Sequence, residues 1–257
     1  MAALEREPGF HNVLGLERAW SEDRLLMDFL DPDSPIHHLK RLSTAIYAEL
    51  AAPLLTLSNG SLLDAGCGIG RFTTTAAATW RRVTAFDACR SSLNACAWHL
   101  GAAPNVRLRW ADSSVLEETP RPSFDGLIST EFIGYLGDPA RALDLMLRTA
   151  KPGAMVFISV EARPGGLTHV TDLTPAQVEQ AAAGEPLLVP EDRYVNYFSL
   201  AGFRDLIDLS GLREARIEAS HFFRRRPILA RVGRRPARRR GLFRRRIGRG
   251  ARVPIQP

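Results

Sequence analysis

Three observations predict a three-layer α/β fold built on a mostly parallel sheet. From Ser61 onward, short apolar runs alternate with helix-like segments, which a parallel sheet with crossover helices requires. Residues 62–72, LLDAGCGIGRF, carry an apolar strand into three glycines at alternate positions, the mark of a tight strand-to-helix turn. At 257 residues the chain is long enough for one such domain with a good core and some additional structure.

The elements follow in order. Residues 1–38 read as short helical pieces broken at Pro32 and Pro35, and Leu39, Leu42, Ile46, Leu50 and Leu54 recur at helical steps, so 1–58 is expected to form a helical cap. Strands are expected at 61–65, 82–86, 106–110, 125–129 and 154–160, with helices near 71–79, 91–100 and 139–150. Ser91 or Ser92 is placed to cap the second of these helices, and Gly101 to end it; Asp138 and Pro139 start the third, and Lys151-Pro152-Gly153 stops it. Prolines and glycines break the rhythm over 161–198 around a short helical piece at 175–183, which reads as an inserted lid or specificity segment. Ser199 then caps a helix closed by Gly211, and strands near 213–222 and 227–233 lie too close in sequence for a parallel crossover, so they should pair as an antiparallel hairpin.

Charge is divided unevenly. The net charge of +6 conceals fourteen arginines between Arg224 and Arg252; residues 1–221 carry 20 basic against 28 acidic side chains, a net of −8. The arginine tail, residues 234–257, is of low complexity and expected to be disordered. Such a tail either stays solvated or contacts a polyanion such as RNA, anionic lipid or an acidic carrier protein. No run approaches the roughly 20 apolar residues of a spanning helix. Cys67, Cys89 and Cys96 cannot all pair and lack metal-site spacing, which fits a reducing cytoplasm, and Cys89 and Cys96, seven apart on an expected helix, read as buried.

Gly66, Gly68 and Gly70 let a ligand lie on bare backbone where the chain turns from strand to helix. A dinucleotide loop spaces its glycines G-x-G-x-x-G and seats a pyrophosphate, whereas here the spacing is G-x-G-x-G with Asp64 ahead of it, a carboxylate that favours a cation. On residues alone, an ordinary glycine turn remains open. The stretch resembles motif I of the class I S-adenosylmethionine-dependent methyltransferases of the small-molecule type, whose cofactor carries an ammonium and a sulfonium. The resemblance covers residues 39–233 and implies a Rossmann-like, seven-stranded sheet with an antiparallel last strand.

The same resemblance extends to later strand ends. Asp87 follows Asp64 by 23 residues and either caps a helix or presents its oxygens to a ribose, as the family's acid does with Ala88 beside the adenine. Asp112-Ser113 is similar to the family's acid and small residue at the third strand end, where the acid accepts from the adenine amino group; the alternative is a helix N-cap. Thr130 and Glu131 then flank the methionine end, and Asp64, Ala65, Gly66, Cys67, Gly68 and Gly70 form the seat. Arg71 departs from the small or apolar residue often present, and is either a surface arginine or a partner for the cofactor carboxylate.

A base is needed only where the accepting atom holds its proton at neutral pH. His37, His38 and His169 lie in the two segments able to cover a substrate, with Glu131, Tyr194 and Tyr197 as comparable candidates, and His169, Tyr194 and Tyr197 are taken as substrate contacts. Leu187, Leu188 and Phe198 complete the expected walls. Where amide-methylating relatives carry [DN]-P-P-[YF], this chain reads STEF; it has no P-C dipeptide, only Lys40 and Lys151 as lysines, and no evident acid cluster for a metal. Three functions therefore stand: metal-independent methyl transfer to O, N or C of a small metabolite, RNA modification docked by the tail, and cofactor binding without turnover.

Overall fold

The computed structural model describes residues 29–34, 37–57, 60–160, 176, 179, 187–189, 193–195, 198, 200–213, 215, 217 and 230–232. Helix α1 (His37–Leu55) precedes β1 (Ser61–Ala65), α2 (Thr73–Thr79), β2 (Arg82–Asp87), α3 (Arg90–Leu100), β3 (Val106–Trp110), the short α4 (Val115–Glu118) and β4 (Phe124–Thr130). A 3-10 turn (Ile133–Tyr135) leads to α5 (Pro139–Thr149), β5 (Ala150–Ser159), a hairpin of β6 (Leu187–Val189) and β7 (Arg193–Val195), α6 (Leu200–Ser210), β8 (Leu212–Arg213) and β9 (Ala230–Val232).

The main sheet has the order β3-β2-β1-β4-β5-β9-β8. The first five strands are parallel, and β9 runs antiparallel to both β5 and β8. The order reverses between β1 and β4, and the crevice outside the strand C-termini at such a reversal is where open α/β sheets bind ligands. Side-chain alternation with period two divides the core between the two faces. Leu63, Leu127, Val156 and Ile158 pack with Leu143 and Met146 of α5 and Phe203 and Ile207 of α6, whereas Leu62, Ile128 and Phe157 pack with Tyr47, Ala51 and Leu54 of α1 and with Phe72, Ala76 and Trp80.

Several expectations need correction. The buried stripe of α1 is Ser43, Tyr47, Ala51, Leu54 and Leu55, while Leu39 and Leu42 are 51% and 55% exposed. The sequence pattern follows the large aliphatics, but close packing against the sheet selects the smaller Ser43 and Ala51 beside an aromatic. Helix α3 starts at Arg90 with Cys89 at its N-cap and no side-chain cap, so neither Ser91 nor Ser92 serves, although Gly101 does end it with φ 55°. Asp138 caps α5 as expected, accepting from the Arg141 N–H. That helix ends at Thr149, and Lys151-Pro152-Gly153 already belongs to β5, where the register with β4 shifts between Phe124 and Gly126. The last two strands do pair antiparallel, Leu212 with Val232 and Arg213 with Arg231, and the rest of their expected spans lies outside the described residues apart from Ala215, Ile217 and Ala230. Ser199, the rest of the 175–183 piece beyond Ala176 and Glu179, and the 234–257 tail lie outside the described residues.

Gly126 of β4 ties the two layers together on the α1 side. A methyl group there would stand 2.6 Å from the Trp80 ring and 2.8 Å from Leu54 Cδ1, both fully enclosed. Gly126→Ala is expected to lower stability by about 1–3 kcal/mol through overpacking, read as a fall in the urea midpoint with an unchanged slope.

Candidate functional site

At the end of β1 the side chains alternate, so Asp64 points to the same face as Leu62, toward α2. It is 1% exposed; Oδ2 accepts from the Thr73 hydroxyl at 2.6 Å, and Oδ1 has no partner among the described residues. Burial pushes its carboxyl up to about 7; the Thr73 bond and the Arg71 charge oppose that shift and the Asp87 charge adds to it. A buried oxygen without a donor is costly, and it marks a place built to receive one.

The loop that follows is held by backbone bonds. The N–H groups of Gly66 and Cys67 both donate to the Phe86 carbonyl at 3.0 Å, and the Gly70 N–H donates to the Cys67 carbonyl at 3.0 Å. Gly66, Gly68 and Gly70 have φ of 69°, 55° and 84°. Asp87, at the end of β2, accepts from the Gly68 N–H through Oδ2 and from the Cys89 N–H through Oδ1, each at 2.8 Å. Burial raises its pKa, and the N–H groups of Cys89, Gly68 and Ala88 offset part of that. Asp87 thus both buttresses the loop and caps the α3 entry, and with three N–H groups on its two oxygens it keeps room to accept from a ligand hydroxyl.

Ala88 accepts from the Trp110 indole N–H at 2.9 Å, and the Arg90 guanidinium lies 4.9 Å from the Trp110 ring centre. Asp112 Oδ1 accepts from the Ser114 N–H at 2.8 Å; it forms a turn before α4, whose N-cap position is Ser114, not Asp112. Thr130 is buried at the end of β4. Glu131 follows with φ 56°, the one non-glycine residue of positive φ among the described residues. Its N–H donates to Ser159 O at 3.0 Å and Oγ at 3.2 Å. Its Oε1 accepts from the Tyr47 hydroxyl at 3.0 Å, and its Oε2 pairs with Arg71 at 3.3 Å.

The structure therefore gathers Asp64 through Arg71, Asp87, Ala88, Asp112, Ser113, Thr130 and Glu131 at the C-terminal ends of β1 to β4. His37 and His38 sit in the first turn of α1, with His38 exposed, and His169 lies outside the described residues. Tyr197 also lies outside them, and of Tyr194 only its place in β7 is described, a strand that runs beside the Ile133–Tyr135 turn. Phe198 packs edge-on to Phe203 at 5.8 Å, so it joins the core rather than forming a free pocket wall. The three cysteines are buried and free, burial being expected for Cys89 and Cys96, and a hydrogen bond with Cys96, then burial, pushes the Cys67 thiol up.

Sequence reasoning missed Tyr47, Thr44, Phe29, Thr73 and Ser159. Tyr47 is reached from α1, 84 residues before Glu131, and no local spacing announces the pair. Thr73, nine residues after Asp64, is the one a careful reading of the loop exit could have found.

With this geometry in place, comparison with known proteins is decisive. The profile of a methyltransferase-domain family matches residues 36–214. The chain belongs to that family. Its domain is a class I S-adenosylmethionine-dependent methyltransferase domain, and S-adenosylmethionine is its cofactor. The chain shares 29% identity over 127 residues with a ubiquinone biosynthesis O-methyltransferase of Paracidovorax citrulli, covering 49% of this chain and 52% of that protein. It thus spans about half the length of the curated relatives it matches. DhpI bound to SAH has the same fold, with a TM-score of 0.58 at 16% identity over 87% of this chain and 96% of that one. An S-adenosylmethionine-dependent methyltransferase of Listeria monocytogenes gives 0.56 at 17% identity over 75% and 99%.

The residues at this site fit S-adenosylmethionine. The unpartnered Oδ1 of Asp64, the bare glycine turn and the remaining acceptor capacity of Asp87 suit a ligand with cationic groups and a ribose diol. Among the described residues, no helix is long and apolar enough to cross a membrane, and no three His, Cys, Asp or Glu side chains gather as metal ligands.

Proposed function

We propose that this chain transfers a methyl group to an oxygen atom of a small organic molecule, in a metal-independent, in-line reaction. The observation that carries the reading is Glu131: a carboxylate at the sheet reversal, beside the glycine turn, with its side chain 20% exposed. Asp64 is sealed behind the loop, and both oxygens of Asp87 already accept backbone N–H groups, so Glu131 is the acid best placed to meet a substrate. The O-methyltransferase names of the relatives favour oxygen as the accepting atom.

When bound, S-adenosylmethionine supplies a methyl group already activated on a positively charged sulfur. The residues proposed to hold it are Asp64, Ala65, Gly66, Cys67, Gly68, Gly70 and Arg71, with Asp87 for the ribose and Ala88, Asp112, Ser113 and Thr130 around the adenine and sulfur. The chain's task is to hold the accepting oxygen in line, about 3–3.5 Å from the methyl, and to exclude water. Glu131 takes the hydroxyl proton as that oxygen forms its new bond, and Tyr47 and the Ser159 contacts fix the carboxylate for the purpose.

In this reading residues 1–58 cover the site, 59–233 form the catalytic domain, and 161–198 select the substrate, with His169, Tyr194 and Tyr197 as contacts. The placement of β7 beside the Ile133–Tyr135 turn supports that role for the insertion. A cytoplasmic location is consistent with three free buried thiols. RNA modification depended on the arginine tail, which lies outside the described residues, and the relatives reported above are not named for RNA.

Calorimetry tests the cofactor site. S-adenosylmethionine and S-adenosylhomocysteine should bind at micromolar affinity, NAD should not compete, and Asp87→Ala should weaken binding by about 1–3 kcal/mol. A preference for NAD, or unchanged affinity in the variant, would overturn the assignment.

A further inference from the structure

The inference concerns the partner of Arg71 and rests on the cofactor reading above. Arg71 follows the last glycine of the turn. Its guanidinium lies 4.6 Å from the Phe29 ring centre and 5.5 Å from that of Phe72, a cradle that fixes its plane. One nitrogen meets Glu131 Oε2 at 3.3 Å and the other meets Thr44 Oγ1 at 3.3 Å. Charge-assisted N–H···O bonds are usually about 2.7–2.9 Å, and arginine grips a carboxylate best through two parallel bonds. The Arg71–Glu131 contact is long and uses one nitrogen, so it is a loose pair.

Glu131 is held the other way. Its backbone is kept at φ 56° by two acceptors on Ser159, and Tyr47 bonds its Oε1 from an enclosed position. Strain of this kind persists only where surrounding structure imposes it, and it gathers at working sites. A strained residue thus holds a carboxylate where it satisfies an arginine poorly. The acids Asp64, Asp87 and Glu131 suit a ligand's ammonium and sulfonium, and Arg71 is the cation whose charge acts on Asp64. A ligand carboxylate would be repelled there unless Arg71 turned to it.

We propose that Glu131 is a placeholder for the carboxylate of the cofactor's amino-acid end. On binding, Arg71 exchanges Glu131 for that carboxylate, and Glu131, still held by Tyr47, is freed toward the substrate. Cofactor binding thereby arms the proton acceptor. Glu131 competes with the ligand for Arg71, so removing its charge should tighten binding, the reverse of what a supporting role predicts.

The test is calorimetry of S-adenosylhomocysteine and of 5′-methylthioadenosine, which lacks the amino-acid end, on the full chain, Arg71→Gln and Glu131→Gln. Arg71→Gln should weaken S-adenosylhomocysteine by about ten- to a hundredfold and leave 5′-methylthioadenosine within about twofold. Glu131→Gln should tighten S-adenosylhomocysteine by about three- to tenfold and leave the truncated ligand unchanged. Equal loss of both ligands in Arg71→Gln, or unchanged or weaker S-adenosylhomocysteine binding in Glu131→Gln, overturns the exchange. If the unaltered protein binds neither ligand, the cofactor reading itself fails, a result distinct from either of these.

Discussion

Gly66→Ala is expected to destabilise the fold by roughly 2–5 kcal/mol and to abolish measurable S-adenosylhomocysteine binding, since left-handed strain and overpacking act together. Gly66 has φ 69°, and a Cβ built on it would collide with Cδ2 of the Phe132 ring. That ring is wedged edge-on against Phe86 at 5.6 Å and packs on the larger core cluster, so it has little freedom to retreat. Moving it would also disturb the two N–H groups that Gly66 and Cys67 direct at the Phe86 carbonyl, and with them the shape of the loop. Gly68→Ala is the control. Its φ is 55°, but nothing lies within 4 Å of the added methyl, so only the strain of about 1–2 kcal/mol should appear. Thermal unfolding of the two variants separates the terms, and equal losses would mean that the Phe132 contact costs nothing.

Asp64→Asn is expected to make the empty protein more stable at pH 8 while weakening S-adenosylhomocysteine binding by at least about tenfold. The unfolded carboxyl ionises near the ordinary 3.8, whereas the folded one keeps its proton up to about 7. Between those values the unfolded chain binds fewer protons than the folded one, so the Asp64 contribution to stability falls as pH rises through that window and is level above it. At 1.36 kcal/mol per unit, the full penalty is on the order of 4 kcal/mol. An amide at this position keeps a polar partner for Thr73 without a charge, so the gain should vanish near pH 4 and reach several degrees in melting temperature at pH 8, at roughly 2–4 °C per kcal/mol. Melting curves from pH 4 to 8 check this. A difference that does not change with pH would show that Asp64 is not the titrating group. The combination of lower affinity and higher stability is what a functional residue held at a cost should give.

The two variants illustrate how far the sequence could be read. The glycine turn, the acids after β1, β2 and β3, and the alternation of strand and helix were all legible, because each is a local pattern: a backbone conformation that excludes a side chain, or an acid at a strand end. The start of α3 was not, since Cys89 reaches its N-cap position only because Asp87 accepts its N–H. The buried face of α1 was misread because helical spacing shows which residues share a side, while fit against Phe157 and Trp80 decides which side turns inward.

The sequence by itself determined the glycine turn and its acids, since three glycines, a preceding acid and a second acid 23 residues on are set by chain geometry within one βαβ unit. Only the tertiary structure decided what stands around Arg71 and Glu131. Tyr47 and Thr44 come from α1, Phe29 from the chain ahead of it, Arg71 from the turn, Glu131 from just past β4 and Ser159 from β5. Their meeting depends on how α1 packs across the sheet, and contacts between residues so far apart in the chain leave no periodicity or spacing to read. The long, one-sided Arg71–Glu131 pair is visible only as a distance, and the proposed exchange turns on it.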